Sequence, residues 1–355
     1  MPPPDVQELR WRDPPLGEIA TPRGRLRLTL SVGSGLARRP GDPPGRIWGL
    51  GDRGPNLKVK TAIKRYGLDH LAPLKELAGA KVLPMAQFQP ALAELQVGPD
   101  RVELVRTLPL RTPEGPLSGR ALPGSEEALM EPTFDLQGQP LATDPAGADP
   151  EGVVALADGG FWISEEYGPS LMRVDKDGVV RARWTPAGAG RRRLNRGFEG
   201  LAISPDERWL YAVFQSAPEG DDPMSTRIWK LDARDGSRAA EYVYPFDPPE
   251  SFIEDEPAGP EDLKACELVC IGGERMLLLE RVSRSARIYR VDLAAGRRRL
   301  AKTLLFTTDD HPQVAPDLEG VCQLSDRDLL IATDNDFGVE GAETRFYRLT
   351  FDAPL

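Results

Sequence analysis

The feature that most restricts how this chain folds is a hairpin-like segment that occurs four times. Its clearest copy is residues 149–169, DPEGVVALADGGFWISEEYGP: an acidic residue opens an apolar run, a short polar turn follows, and a second apolar run ends on another acidic residue. Residues 197–216 (GFEGLAISPDERWLYAVFQS) and 317–337 (DLEGVCQLSDRDLLIATDNDF) repeat the layout, and residues 265–281 (ACELVCIGGERMLLLER) form a degenerate copy. From opening Glu to closing polar residue the separations are 15 (Glu151 to Glu166), 16 (Glu199 to Gln215), 13 (Glu267 to Glu280) and 15 (Glu319 to Asp334). Each copy is followed by a third short apolar segment of one type: 171–175 (LMRVD), 227–232 (RIWKLD), 287–292 (RIYRVD) and 345–351 (RFYRLTF).

Two strands, a variable loop and a third strand, recurring at roughly 50–60 residues, is the pattern of β-propeller blades. The expected fold is therefore all-β: one propeller domain over residues 1–355, with six blades favoured by length and seven allowed if residues 57–148 supply another. Within it, residues 1–24 form a Pro-rich lead-in, 57–148 irregular early blades with an insertion, and 149–351 the regular blades. The alternating segment 24–33 (GRLRLTLSVG) has strand period, and with 345–351 it is expected to close the ring from both ends. Residues 61–80 carry apolar positions every three to four residues, as a helix or irregular insertion does, and 246–261 reads as a solvated acidic insertion.

First strands of propeller blades line the central channel, so their opening residues converge at one mouth. Glu151, Glu199 and Glu319 then face one another, joined by Asp334, by Glu166 at the same repeat position, and by Asp52 at the end of 46–56 (RIWGLGDRGPN). Confined carboxylates repel, and must be protonated or share a cation. A ring of oxygen donors suits calcium, which takes about 6–8 oxygens. Glu151, Glu199, Glu319, Asp334 and Asp52 are thus the candidate metal ligands. Arg53, Arg196 and Arg281 each adjoin one of these acids; they either clamp an anionic substrate or pair with the neighbouring carboxylate. Asp334, Asn335 and Asp336 divide in the same way between ligation and an Asx-rich turn.

Only two histidines exist, His70 and His311; His311, eight residues before Glu319, and Glu166 are the candidate general bases. There is no G-x-S-x-G elbow, which argues against a serine hydrolase of the common α/β type.

Seven short motifs in order, GDRGP (51–55), DPEG (149–152), SEEYGP (164–169), NRGFEGL (195–201), LER (279–281), DLEG (317–320) and DNDF (334–337), resemble the phytase-like family described as having esterase-like activity. That group is a predicted set of β-propellers, similar in architecture to calcium-dependent lactonases and gluconolactonases. The resemblance implies hydrolysis of ester or phosphoester bonds with a metal in the channel. Two departures stand out: Gly51 replaces the family's Ser, and Glu267–Leu268 replaces Glu-Gly, which puts Glu267 in doubt as a ligand. The reading from a different class is a non-catalytic propeller whose central ion is structural and whose acidic face binds a ligand or partner.

The net charge of −10 and pI near 5.0 argue against nucleic acid as the main partner, and the basic run 191–193 is too small to change this. A small-molecule ester or phosphoester and a monomer are expected instead. Cys266, Cys270 and Cys322 lack metal-ligand spacing and read as small buried residues, the last two at equivalent strand positions. No run approaches the roughly 18–20 apolar residues of a membrane span. MPPPDVQELRW lacks the layout of a signal peptide, so the chain reads as cytoplasmic as written and as exported if a leader is missing.

Overall fold

The computed structural model describes residues 2–123, 131–189, 193, 195–253, 258–293 and 298–355. Among these, five antiparallel sheets of four strands account for most of the chain. Numbered in chain order, the strands begin with β1 (Asp5–Leu9), β2 (Pro15–Thr21) and β3 (Gly24–Thr29). The first four-stranded sheet is β4 (Gly35–Ala37), β5 (Arg46–Leu50), β8 (Ala91–Val97) and β9 (Val102–Pro109). An insertion between β5 and β8 holds β6 (Leu57–Lys58), a helix α1 (Val59–Tyr66), a 3-10 segment (Asp69–Glu76) and β7 (Lys81–Val82), which pairs with β10 (Thr133–Phe134).

The next three sheets follow the chain without interruption. They are β11 (Pro150–Ala155) to β14 (Val180–Trp184) by way of β12 (Phe161–Glu165) and β13 (Ser170–Val174); then β15 (Phe198–Ile203), β16 (Trp209–Phe214), β17 (Ser225–Asp232) and β18 (Arg238–Pro245); then β19 (Lys264–Gly272), β20 (Arg275–Arg281), β21 (Ala286–Asp292) and β22 (Lys302–Thr307). The fifth comprises β23 (Leu318–Gln323), β24 (Asp328–Thr333) and β25 (Phe346–Thr350), with β1 added at its outer edge.

Alternation along the strands explains why the sheets stack face to face. In β20, Met276 and Leu278 pack toward Tyr211, Val213 and Ile228 of the sheet before, whereas Leu277 and Leu279 pack toward Val321, Leu329 and Ile331 of the sheet after. Period-two side chains that are apolar on both faces require a neighbour on each side. The same division recurs between the other sheets, with Trp48 and Phe161 meeting edge to face between the first and second. This is a propeller-type all-β fold. The first strands lie side by side: β4 against β11, β11 against β15, β15 against β19, β19 against β23, and β23 against β4.

The glycine after the opening Glu is explained by this crowding. A Cβ at Gly152 would lie 2.4 Å from the Glu199 carbonyl oxygen and 2.6 Å from Ser164 Oγ, and one at Gly35 would lie 2.6 Å from the Glu151 carbonyl oxygen. Gly152→Ala is expected to cost about 1–3 kcal/mol or more, whereas Gly115→Ala, where nothing lies within 4 Å, serves as a control; urea midpoints of the two variants decide it.

Three expectations change. The N-terminal strand that joins the last sheet is β1, paired with β25 from Asp5↔Thr350 to Leu9↔Phe346, so residues 1–24 are more than a lead-in. Residues 24–29 instead pair with β2, because a polar residue at every second position leaves them only one apolar face to bury. No sixth four-stranded sheet occurs among the described residues; 57–148 supply the outer strands of the first sheet and the insertion. The helical pattern at 61–80 is shared by α1, ended by Gly67 at φ 71°, and the 3-10 segment. In 246–261 and 191–193, residues 254–257 and 191–192 lie outside the described residues.

Candidate functional site

Strand pairing fixes which residues are equivalent, and it moves one repeat by a residue. The amide of Glu166 donates to the Asp149 carbonyl at 2.9 Å, that of Gln215 to Gly197 at 3.0 Å and that of Asp334 to Asp317 at 2.9 Å, while Arg281 pairs with Lys264. Two residues beyond each first-strand partner stand Glu151, Glu199, Glu319 and, in the fourth sheet, Cys266. Cys266 therefore takes the place expected for Glu267, Arg281 closes that hairpin in place of Glu280, and Glu267 stands where the others have glycine. The 13-residue separation becomes 15, Cys266 to Arg281, in line with the rest. Cys322 pairs with Leu330 and Cys270 with Met276, so the counterpart of Cys322 is Val269. All three cysteines are free thiols. In the first sheet Gly35 pairs with Leu50 as Gly320 pairs with Ala332, which makes Ser34 and Asp52 the counterparts of Glu319 and Asp334.

The polar positions gather at one mouth of the space between the first strands. Carboxylate oxygens of Asp149, Glu151 and Glu166 lie within 4.8 Å of one another, and a second group joins Glu199, Glu319 and the Cys266 thiol at the same spacing. Burial lifts the carboxyls of Asp52, Glu151, Glu199 and Asp334 well above the ordinary carboxylate range, and repulsion among neighbours lifts them further: Asp149 and Asp334 act on Asp52, Glu199 on Glu151, Glu166 on Glu199, and Glu319 on Asp334. A carboxyl raised by like charges is one that a cation would ionise. The six expected acids Asp52, Glu151, Glu166, Glu199, Glu319 and Asp334 are thus neighbours in space, and Asp149, two residues before Glu151 in DPEG, joins them.

The cations divide differently from expectation. Arg53 is almost wholly buried and donates to Glu131 Oε2 at 2.6 Å and to the Tyr167 hydroxyl at 3.1 Å, with Asp149 Oδ2 at 3.3 Å. Arg281 donates to Asp317 Oδ1 at 3.0 Å, to Glu319 and, through Nε, to Cys266 Sγ at 3.2 Å. Both guanidinium groups pair with acids of the chain itself. Arg196 donates one Nη to the Glu261 carbonyl at 3.0 Å, while its other Nη is buried without a partner among the described residues. Lys264, which sequence reasoning missed, stands where the second and fifth sheets have Asp149 and Asp317; Arg281 and burial depress its ammonium. The signal was present: the fourth hairpin exchanges an acid for a base at both its first and last polar positions.

These observations test the site for a metal. Asp149, Glu151 and Glu166 offer oxygen alone, as a hard ion needs. Glu199 Oε1 accepts from Gln215, but its Oε2 is buried with no hydrogen-bond partner, as an oxygen awaiting a cation or a proton would be. In the second group the positive charge is already supplied by Arg281, burial pushes the Cys266 thiol up to about 12, and sulfur is a softer donor than a hard ion favours. Of the two groups, Asp149, Glu151 and Glu166 is the one with the oxygen-only donors that suit calcium, and its Asp149 is shared with Arg53.

A model of the phytase-like family, described as esterase-like activity of phytase, matches residues 30–337. The chain belongs to the phytase-like family. An uncharacterized secreted protein of Arthroderma benhamiae is 31% identical to this phytase-like chain over 236 residues, 52% of this chain and 43% of that protein's length. Among solved structures, the major allergen of Malassezia sympodialis is 13% identical with a TM-score of 0.44, covering 98% of this chain and 96% of its own. A gluconolactonase of Xanthomonas campestris is 14% identical with a TM-score of 0.37, covering 99% and 98%.

Four polar residues of the phytase-like chain anchor local structure. His311 donates from Nδ1 to the Thr307 carbonyl at 3.0 Å and packs on Phe306 of β22, the strand of its sheet farthest from the first strands. His70 bonds the Leu136 carbonyl in the insertion. Asn335 is buried and fixes its turn: its amide donates to the Leu30 carbonyl at 3.1 Å and its oxygen accepts from Phe337 N at 2.8 Å. Glu165 accepts from the amides of Asp149, Tyr167 and Gly168 and from Ser170 Oγ, holding the turn that presents Glu166.

Proposed function

We propose that this protein is a cation-assisted hydrolase of ester or phosphoester bonds, acting at the acidic mouth of a five-bladed propeller that β1 closes by joining β23–β25. The observation that carries this reading is the convergence of Asp149, Glu151 and Glu166 within 4.8 Å, beside a Glu199 oxygen buried without a partner. Family membership supports the reaction class, and the cyclic order of first strands supports the blade number and the single domain.

Calcium held by Asp149, Glu151 and Glu166 would polarise the carbonyl or phosphoryl oxygen of the substrate. Calcium acidifies water weakly, so a protein base is needed. Glu199 fills that role: burial first, then Glu166 and Glu319, raise its carboxyl, and Oε2 is open to receive a proton. Asp52, Glu319 and Asp334 complete the negative wall that keeps the cation in place, Ser31 donating to Asp334 and Arg281 to Glu319. The unpartnered Nη of Arg196 orients an anionic group of the substrate, a role that Arg53 and Arg281, bound to their own acids, leave to it. The secreted relative supports export as the compartment of action; among the described residues no helix is long and apolar enough to cross a membrane.

The commitment of Arg53 and Arg281 to internal ion pairs favours a second reading, a ligand-binding propeller whose ion is structural. Hydrolysis of aryl esters, lactones and aryl phosphates, each with calcium and with chelator, separates the two while melting temperature is followed in parallel. Chelator-sensitive turnover of any one class is the expected result. Absence of turnover on all three, with melting still lowered by chelator, would establish the binding reading.

A further inference from the structure

The fourth sheet breaks the repeat at the axis of the channel. At the position after the opening residue, four sheets have Gly35, Gly152, Gly200 and Gly320, and the fifth has Glu267. Its carboxylate is buried, with 1% of the residue exposed. Glu267 Oε2 accepts from Leu36 N of β4 at 3.1 Å and Oε1 from Leu268 N of its own strand at 3.0 Å. Burial lifts the Glu267 carboxyl well above the ordinary carboxylate range, and the amides of Val321 in β23 and Leu201 in β15, facing it together with those of Leu36 and Leu268, oppose that rise. Four of the five first strands therefore aim a backbone N–H at one carboxylate, each from the residue that follows the glycine position.

We propose that these amides form an axial anion site, for a small carboxylate or other compact monoanion, which this chain fills with its own Glu267. The argument is one of shape and of polar accounting. First strands of a propeller converge on the axis, and the N–H groups that face it have no strand partner there; buried donors left unpaired are costly. Four glycines keep the axis open, and their lack of side chains lets one carboxylate reach all the donors. An alanine or leucine in place of Glu267 would fill the space and leave the donors unmet. A Glu supplies two oxygens at the end of a flexible stem, as a bound formate would.

Position along β19 adds a consequence. Cys266 belongs to the acidic mouth with Glu199 and Glu319, whereas Leu268, with Leu36, Val153 and Leu201, lines a cavity of about 460 Å³ on the other side. Glu267 lies between the two and divides the channel into an acidic chamber and one of mixed lining, where Arg38, Arg39 and Glu207 join the apolar residues. Substrate and product then share a single mouth. Glu267 is a positioning residue: it ties four of the first strands, and hence Glu199, Glu319 and Ser34, to a common depth.

Two variants test this, read by thermal melting in chloride-free buffer at fixed ionic strength. Glu267→Gln keeps the size but places an NH2 group against the amides, and a fall in melting temperature of about 2–4 °C is expected. Glu267→Gly makes the fifth position like the other four. Formate should raise the melting temperature of this variant in a saturable manner, benzoate should not, and neither should move the wild type. A Gln variant as stable as the wild type overturns the proposal. So does a folded Gly variant that formate leaves unmoved; if the Gly variant does not fold, the Gln variant decides alone.

Discussion

Glu199→Gln should lower kcat/KM by about 10²–10⁴-fold on whichever ester class is turned over, the range that positioned acid–base groups supply, while leaving the fold intact. The substitution is nearly isosteric, and Gln215 still has an oxygen to which it can donate. What is lost is the oxygen that has no partner, Oε2, with its capacity to take a proton beside the Asp149, Glu151 and Glu166 group. If Glu199 acts as base, the acidic limb of the wild-type pH–rate profile should vanish in the variant. Turnover within twofold of wild type, at unchanged melting temperature, excludes Glu199 from the reaction.

The second large effect concerns stability in chelator. Burial and mutual repulsion raise the folded-state proton affinity of Asp52, Glu151, Glu199 and Asp334 above that of the unfolded chain. Between the ordinary carboxylate value of about 4 and their raised values, the folded protein binds more protons than the unfolded one, so stability falls as pH rises through that window. Every tenfold difference in proton affinity is worth about 1.4 kcal/mol. Below about pH 4 the trend reverses, because carboxylates such as Asp247, held low despite burial by Lys302, Tyr289 and Arg287, lose their partners. The chelated protein should therefore melt highest near pH 4–5 and progressively lower toward pH 8. Calcium binds the ionised form, so its stabilising effect grows with pH and reaches about 2.7 kcal/mol at a hundredfold excess over its Kd. A calcium-induced shift equal at pH 5 and pH 8 would show that Glu151, with Asp149 and Glu166 beside it, is not its ligand.

The hairpins are legible because a strand that is apolar on both faces and bounded by acids leaves a regular spacing, and in the structure Glu151, Glu199, Glu319, Glu166 and Asp334 are neighbours. The fourth hairpin misled because a Glu beside the expected position drew the register to itself. The separation of 13, against 15 and 16 elsewhere, was the sign, and only the bulge between Ala265 and Glu267 resolves it. The first sheet was harder still, since an insertion lies between β5 and β8 and Ser34 stands where the other hairpins have acids. Pairing partners such as Glu131 for Arg53 are distant in sequence and carry no local pattern.

The union of β1 with β25 sets a schedule for making the protein. Residues 5–9 leave the ribosome long before their hydrogen-bonding partners, residues 346–350, are made. Until then the leading segment has a bare edge that can pair with a neighbouring chain, and the last sheet stays one strand short. The slow step of biogenesis is thus a meeting of segments separated by almost the whole chain, and a bulky tag fused ahead of residue 5 would be carried to the outer rim of the last sheet, away from the acidic mouth.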